Sequence, residues 1–293
     1  MERQQVFQKD FFDQRPAEVG WSDLLVKTGF KYLLKPREKK NWQVIKSLGM
    51  KKGDRVLDVG CGTGYFLARI EKVLQIDGVG IDFSSESIKK AKRWQKEGLE
   101  YLVAEAERLP FEDVSFDYVV CFDVLEHIEK QEKVLKEMAR VLKKKGKILI
   151  YTINKRQRGT WNWFLEKVGI PTDELVAHDK KLFVFSDDLE KKLEKLGIKK
   201  ERLIYYDCFF SLFLNEVMTL VEKGFRKLGL ERIRFISKPL LFFFTFVSQA
   251  LGSIVDFLDW PWKKLGLSNG FYFIGSGKNA HTRIFKHKIP ACR

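Results

Sequence analysis

Residues 54–64 read DRVLDVGCGTG, and residues 65–74 continue YFLARIEKVL. The first six form a short β-rich run ending at a glycine cluster, and the continuation has apolar residues at helical spacing. This order predicts strand, tight loop and helix. Glycines at 60, 62 and 64 let the backbone approach a ligand closely and turn sharply into a helix whose N-terminus presents free N–H groups. A carboxylate or an adenosine-bearing ligand could sit there. A dinucleotide-binding loop would place its third glycine where Tyr65 stands, which weighs against NAD. Glycine turns in α/β folds are often only turns, so the neighbouring strands have to decide.

The strand VGID at 79–82 is followed by Ser84 and Ser85, N-cap candidates for the helix SESIKKAKRWQKEG. LEYLVAEA and FDYVVCFDVLEHI come next, then the helix QEKVLKEMARVLKK and the strand GKILIYTI at 146–153. Strands alternating with helices from 54 to 153 predict a doubly wound α/β domain with a mostly parallel sheet. Asp82 ends its strand 24 residues after Asp58, where a carboxylate can accept both hydroxyl hydrogens of a ribose or, alternatively, cap a helix. Glu105 falls at the tip of a third strand, and Phe122 with Asp123 at the tip of a fourth.

On VLDVGCGTGYF (56–66), VGIDFS (79–84), AEAERLPFEDVSFD (104–117), VLEHI (124–128) and RVLKKKGKILI (140–150), the chain resembles the class I S-adenosylmethionine-dependent methyltransferases. Within them it is most similar to the branch containing the quinone-biosynthesis methyltransferases, over about residues 40–205. The resemblance implies a Rossmann-like methyltransferase sheet and S-adenosylmethionine as cofactor. It implies that Asp58 and the loop residues Gly60, Cys61, Gly62 and Gly64 hold the methionine end, that Asp82 holds the ribose and that Phe83 packs on the adenine. Glu105 stands where the family more often has Asp, beside Ala106, whose backbone N–H would meet the ring. Phe122 would border the methionine moiety through its backbone.

Methyl transfer from a sulfonium is a displacement in which the positive cofactor becomes neutral, so alignment of the acceptor goes far and no metal is demanded. An acidic hydroxyl or an amine must still lose a proton, for which histidine is the natural base. His127, at the mouth of the fourth strand, and His178, in AHDKKLFVFSDDL, are the candidates. The resemblance places both near the acceptor, although each could equally be an ordinary polar loop residue.

Among 293 residues, 45% are hydrophobic and 32% charged, which excludes both a disordered chain and an ordinary polytopic membrane protein. Fifty-four Lys+Arg against 39 Asp+Glu leave a net +15, implying an anionic partner. An RNA methyltransferase is therefore an alternative, and a non-catalytic S-adenosylmethionine-binding module a second. Exocyclic base-amine methylation usually goes with a [DN]PP[YF] loop where this chain has FDVLEH, and no Pro-Cys or Thr-Cys dipeptide suggests cytosine C5 chemistry. Cys61, Cys121, Cys208 and Cys292 have no CxxC pairing, which predicts reduced thiols in a cytoplasmic protein and no zinc site.

The 25 Phe and 7 Trp, in a chain whose mean hydropathy is -0.25, call for a local concentration of apolar surface. It lies in residues 209–268. Ser211, Asn215, Thr219 and Glu222 form one polar helical stripe, and Thr245, Ser248, Gln249, Gly252, Ser253, Asp256 and Asp259 another, each opposite a wide apolar face. The connector 223–238 has six basic residues against Glu231 alone, a local +5. Apolar faces joined by a basic connector suggest a peripheral device on the inner face of a membrane, anionic lipid adding about 1 kcal/mol per nearby basic residue. A self-burying hairpin, a homodimer interface and a transmembrane span are the other readings. A single span would separate GFYFIG (270–275) from RLIYYDC (202–208), which the resemblance pairs in one sheet.

The expected organisation is an N-terminal helical cap at 1–45, an S-adenosylmethionine-binding catalytic domain at 46–208, an apolar and basic helical insertion at 209–268, and the last strand with a basic tail at 269–293. The expected acceptor is a hydrophobic or lipid-linked small molecule, quinone-like or phospholipid-like, with nucleic acid the weaker candidate.

Overall fold

The computed structural model describes residues 36–170, 179–227, 247 and 250–277. Seven strands form one sheet: β1 (Arg55–Val59), β2 (Asp77–Asp82), β3 (Leu99–Val103), β4 (Phe116–Phe122), β5 (Leu142–Ile153), β6 (Ile198–Tyr206) and β7 (Gly270–Gly277). Their order is β3-β2-β1-β4-β5-β7-β6. The first five pair in parallel, and β7 inserts antiparallel between β5 and β6. The doubly wound sheet read from the sequence is thus present, and residues 209–268 lie between its last two strands in chain order.

The helices are α1 (Pro36–Ser47), α2 (Tyr65–Leu74), α3 (Ser85–Ala91), α4 (Gln131–Val141), α5 (Trp161–Lys167), α6 (Ser186–Lys195), α7 (Phe210–Lys227) and α8 (Trp260–Lys264); residues 250–258 are also helical. Alternation along the strands feeds two cores. Leu57, Val119, Ile148 and Ile150 pack with Val134, Leu135 and Met138 of α4 and Leu189 and Leu193 of α6 on one face. Val56, Val120, Leu149 and Tyr151 pack with Val44, Ile45 and Leu48 of α1 and Leu67 and Ile70 of α2 on the other. A period of two is what buries both faces of a parallel sheet.

Several boundaries differ from the sequence reading. Ser84 caps α3 by accepting from Ser87 N, as expected, but the helix passes into a 3-10 turn at Lys92–Trp94, and the Lys96–Leu99 bridge turns the chain into β3. The helix predicted to run through 144 ends at Val141. Leu142 is buried opposite Phe116 in the sheet, and Lys143 Nζ pairs with Asp117 at 2.8 Å, so tertiary contacts draw the lysine run into β5. Neither Ser186 nor Asp187 caps α6. Phe185 takes the cap position, Ser186 shares a hydrogen bond with the Tyr205 hydroxyl, and Asp187 pairs with Arg156.

The insertion is tied at its root. The Asp259 carboxylate accepts from three backbone amides at the start of α7: Phe209 and Phe210 at 3.2 and 2.8 Å, and Ser211 at 2.9 Å. These amides have no partner inside the helix, so a side chain from the far end of the insertion satisfies them. Asn154, past the end of β5, donates to Gly266 O and Ser268 Oγ, and its backbone amide donates to Asn269 O. An aromatic cluster of Trp161, Phe164, Phe209, Phe213 and Trp262 fills the space between.

The expected polar stripes are divided: Ser253 and Asp256 are exposed and Asn215 is half-buried. Ser211 and Asp259 point into the protein, and Ser211 Oγ accepts from Cys208 N at 3.0 Å. Phe213, Leu220, Ile254 and Phe257 point outward instead, Phe257 being 78% exposed. The side chains of Thr219 and Glu222 and those of the connector are not described, and Thr245, Ser248, Gln249 and the aromatic residues Phe7, Phe11, Phe12, Trp21, Phe30 and Tyr32 of the N-terminal segment lie outside the described residues. No helix among the described residues is long and apolar enough to cross a membrane.

Replacing Asp259 by Ala removes three cap bonds at once and should destabilise the root by about 1–3 kcal/mol. The expected result is faster proteolytic nicking within 209–268 with an unchanged digestion pattern for the sheet; equal nicking rates for variant and wild type would refute the clamp.

Candidate functional site

The sheet order reverses between β1 and β4, and open α/β sheets bind ligands at the carboxyl ends of strands beside such a switch. Register places the strand ends side by side: Val59 lies opposite Ile81 and Cys121, and Asp82 opposite Val103. The glycine loop caps this edge. Gly60 N and Cys61 N both donate to Ile81 O at 2.8 Å, pinning the loop to β2. Gly60 has φ 78°, and a Cβ there would collide with the Val124 side chain, so the loop packs directly on the turn after β4. Gly62, at φ 52°, has open space where its Cβ would be, which leaves a cradle beside its backbone. Gly64 ends the loop as N-cap of α2, its carbonyl accepting from the Tyr101 hydroxyl at 2.7 Å.

Asp58, the penultimate residue of β1, is 3% exposed. Burial, with the nearby Asp82 charge, pushes its carboxyl up to about 7. A desolvated carboxylate with only another carboxylate acting on its charge is matched to a cationic group, as the amino-acid end of S-adenosylmethionine supplies. Cys61 is buried, and burial with Asp58 and Asp82 holds its thiol well above the ordinary range, so it serves the loop through its backbone. Asp82 accepts from Gly62 N and Ser84 N, each at 2.9 Å. Both oxygens thus support the loop and the α3 cap.

Phe83 follows directly and is half-buried, while Phe122 ends β4 with its ring edge-on to Phe66 at 5.0 Å. Glu105 is exposed in the turn after β3, where its carbonyl accepts from Arg108 N at 3.1 Å, and Ala106 beside it is half-buried. Arg140 of α4 fixes this loop. It grips Glu137 with two bonds of 2.8 Å and donates to Phe111 O, Asp113 and Leu109 O. The residues expected to touch a cofactor therefore share one edge and flank one cradle.

The proposed bases divide. His127 is half-buried in the 3-10 turn Leu125–His127 after β4, next to that edge, and His178 lies outside the described residues. The structure adds a group that the sequence reading did not assign: Asp123, Glu126, Tyr151, Asp207 and Arg37. Arg37 of α1 bonds Asp207 across 170 positions of sequence, so no local pattern could join them. Glu126 stood inside the VLEHI motif, but only its complete burial marks it out.

Residues 57–150 match the methyltransferase domain family. Demethylmenaquinone methyltransferase from several strains of Staphylococcus aureus is 39% identical over 111 residues, which are 36% of this chain and 46% of the relative. The match thus spans about half the length of these curated relatives. Phosphoethanolamine N-methyltransferase 2 of Haemonchus contortus, solved with S-adenosyl-L-methionine, aligns over 90% of this chain and 61% of its own with TM-score 0.56 and 20% identity. The SpnF cyclase aligns over 83% of this chain and 81% of its own with TM-score 0.54 and 18% identity. At these identities the two structures show a shared fold alone. The domain match, with the glycine loop and the acids at the strand ends, makes the domain at 57–150 a class I S-adenosylmethionine-dependent methyltransferase domain.

Proposed function

We propose that the chain transfers the methyl group of S-adenosylmethionine to a hydrophobic acceptor, quinone-like or phospholipid-like, taken from a membrane surface. The observation that carries this reading is the outward apolar face of the insertion. β7 runs antiparallel, so its start at Gly270 lies opposite Ile153 and Tyr206, the carboxyl ends of β5 and β6. The chain segments leaving β5 and β6 and entering β7 therefore hang from the sheet edge that carries Asp58, Asp82 and Asp123. Exposed Phe164, Val168 and Ile170 follow β5, Phe213 and Leu220 follow β6, and Ile254, Phe257 and Trp260 precede β7.

Two aromatic–cation pairs accompany this face: Lys264 Nζ lies 4.0 Å from the Trp260 ring centre, and Lys167 Nζ 5.8 Å from that of Trp163. Trp rings beside Lys suit the boundary between headgroups and acyl chains. The local +5 of the connector would add attraction to anionic lipid. The partial likeness to demethylmenaquinone methyltransferases supports a quinone-like acceptor among hydrophobic ones. Such a protein would work peripherally on the cytoplasmic face.

In this reading Asp58 holds the cofactor's amino-acid end, Gly60, Cys61, Gly62 and Gly64 supply backbone contacts, and Asp82 holds the ribose. Phe83 covers the adenine, Glu105 and Ala106 border its edge, and Phe122 lines the methionine side. The bound cofactor supplies a methyl group activated by its sulfonium charge. The protein aligns that group with the acceptor and keeps water away from it.

Affinity for S-adenosylmethionine should depend on pH through Asp58. Its carboxyl titrates near 7 before binding, and only the ionised form attracts the cation, so affinity should fall up to about tenfold per pH unit below 7 and level off above it. Calorimetry across that range tests this, and Asp58→Asn should flatten the profile; a flat wild-type profile would exclude the contact. The same shift makes the ligand-free fold lose stability as pH rises from the ordinary 3.8 to 7.

Sedimentation with anionic and neutral vesicles, at low and high salt, tests the surface. Wild type should pellet with anionic vesicles, and Phe257→Asp combined with Leu220→Asp should weaken that about tenfold or more while sparing cofactor binding. Binding unaffected by those changes removes the lipid reading, and a concentration-dependent dimer without vesicle binding turns the face into a homodimer interface.

A further inference from the structure

The net +15 has no role in the cofactor site, whose strand ends gather acids. Many of the basic residues collect at the opposite edge of the sheet, where the parallel strands begin. Three segments meet there: 46–55 from the end of α1 to the start of β1, 140–147 at the start of β5, and 195–202 at the start of β6. With the acids Asp54 and Glu201 included, they carry +3, +5 and +3. β7 ends between the last two segments, with Ser276 opposite both Lys147 and Lys199. Neighbouring strands lie about 4.8 Å apart, so the backbones at Lys147 and Lys199 are about 10 Å apart. The first segment is fastened to the other two, because Lys147 Nζ donates to Leu48 O at 3.3 Å and Arg202 donates to Ser47 Oγ at 2.6 Å.

A bulge pushes the central lysines outward. Phe116 of β4 pairs with Leu142, but Tyr118, two residues on, pairs with Lys147, five on, so β5 carries three extra residues. Bulges of this kind bend a strand and re-aim its side chains. Gly146 lets this one close, since a Cβ there would strike Asp117 O and Lys143 O. Neighbouring carboxylates neutralise part of the charge: Asp117 takes Lys143, Glu137 and Asp113 take Arg140, Glu201 takes Lys147 and Glu190 takes Lys200. Lys51, Lys52, Lys144, Lys145 and Lys199 are exposed, and none of them has a carboxylate partner among the described residues. The sequence that follows β7 from this edge adds Lys278, Arg283, Lys286, Lys288 and Arg293 with no acid. One edge thus holds a concentrated positive field that nothing in the sheet cancels.

The class of anion follows from what accompanies the lysines. Exposed Phe164, Phe213, Phe257 and Trp260 all lie in segments leaving β5 or β6 or entering β7 at the carboxyl edge. No exposed aromatic side chain stands beside the lysines among the described residues, so nothing there anchors in a bilayer or stacks on an unpaired base. Ile153 is six residues past Lys147, which puts the two edges about 20 Å apart and a bilayer under the outward apolar face away from the lysines. Lysines spread over three segments suit a regular row of phosphates, and a nucleic-acid duplex presents one charge per about 1.7 Å of its axis. In A-form RNA the narrow major groove brings the two phosphate rows close together, and lysines on either side of β7 are spaced to meet both.

We propose that the amino edge of the sheet, at the β5 bulge and the starts of β1 and β6, is a docking surface for the phosphate backbone of duplex RNA. Contacts of this kind position a duplex without reading its sequence. The duplex docks at the edge opposite the cofactor cradle, so it tethers the protein and is not the methyl acceptor. The lysine charge, which methyl transfer does not use, is thereby given a partner.

The test uses the full chain and a fluorescent RNA hairpin, whose anisotropy is followed across a salt series. For wild type, log Kd should rise against log salt with a slope of about four or more, since each neutralised duplex phosphate contributes about 0.9. Lys144→Glu with Lys145→Glu should weaken binding about tenfold or more and reduce the slope by about two, while Lys144→Arg with Lys145→Arg retains both. Lys199→Glu, on another strand, should weaken binding independently. S-adenosylmethionine affinity should stay unchanged in every variant, which reports an intact fold, and Phe257→Asp with Leu220→Asp should leave RNA binding as it is. Unaltered affinity and slope in the glutamate variants overturn the docking surface. Equal affinity for a DNA duplex or for single-stranded RNA of the same length overturns the assignment to duplex RNA. Methyl label entering the hairpin overturns the separation of the two edges. Loss of vesicle binding in the glutamate variants, with RNA binding kept, hands the edge to lipid and overturns the proposal.

Discussion

Two consecutive amides, those of Gly60 and Cys61, converge on the single carbonyl of Ile81, and the site depends on that fork. It ties the loop after β1 to the end of β2, so that Asp58, Gly62 and Asp82 keep fixed relative positions without a ligand. Asp82 reinforces it by accepting from Gly62 N. Val124 reinforces it from the other side, because only glycine at 60 leaves room for that side chain. A larger residue at 60 would push the cofactor loop away from the turn that carries Val124.

The second constraint is electrostatic. The chain is strongly basic overall, yet the carboxyl edge of its sheet concentrates Asp58, Asp82, Asp123, Glu126 and Asp207, where Arg37 bonds Asp207. Most of these carboxyls are nearly dry, so their mutual repulsion is weakly screened. A fold that gathers acids in this way gives up stability when empty and regains it when a cation enters, which couples folding to occupation of the site. The raised titration of Asp58 and Glu126 follows directly from this, since neutralisation is the alternative to pairing.

Much of this was legible in the sequence, because the informative features are local. The glycine loop, the span 65–74 of α2, Ser84 as a cap and the acids at 58 and 82 each depend on neighbours a few positions away. Legibility failed where distant contacts compete with local preference. The lysines after Val141 read as helix, yet Leu142 finds a buried place beside Phe116 and carries them into the sheet. Arg37, Tyr151 and Asp207 belong to three elements separated by 114 and 56 positions, and only the closing of β7 between β5 and β6 brings such residues together. Asp123 and Glu126 were visible as letters, but their chemistry comes from burial, which the motif does not encode.

The insertion shows how a helical periodicity leaves the orientation of its faces open. Three-to-four-residue spacing establishes an amphipathic helix but is silent on which face meets the protein. Here two structural demands take Ser211 and Asp259 inward, while Ser253 and Asp256 stay exposed. The first amides of α7 need acceptors, which Asp259 provides, and Cys208 N needs one, which Ser211 provides. Leu212 and Leu214 are buried beside those polar groups, and the apolar residues of the opposite arc face outward. Phe213, Leu220, Ile254 and Phe257 lie on that arc, away from the hydrogen-bonded root. An exposed apolar face of this kind calls for an apolar phase or surface to cover it, and it hangs beside the strand ends where the acids and the cofactor loop meet.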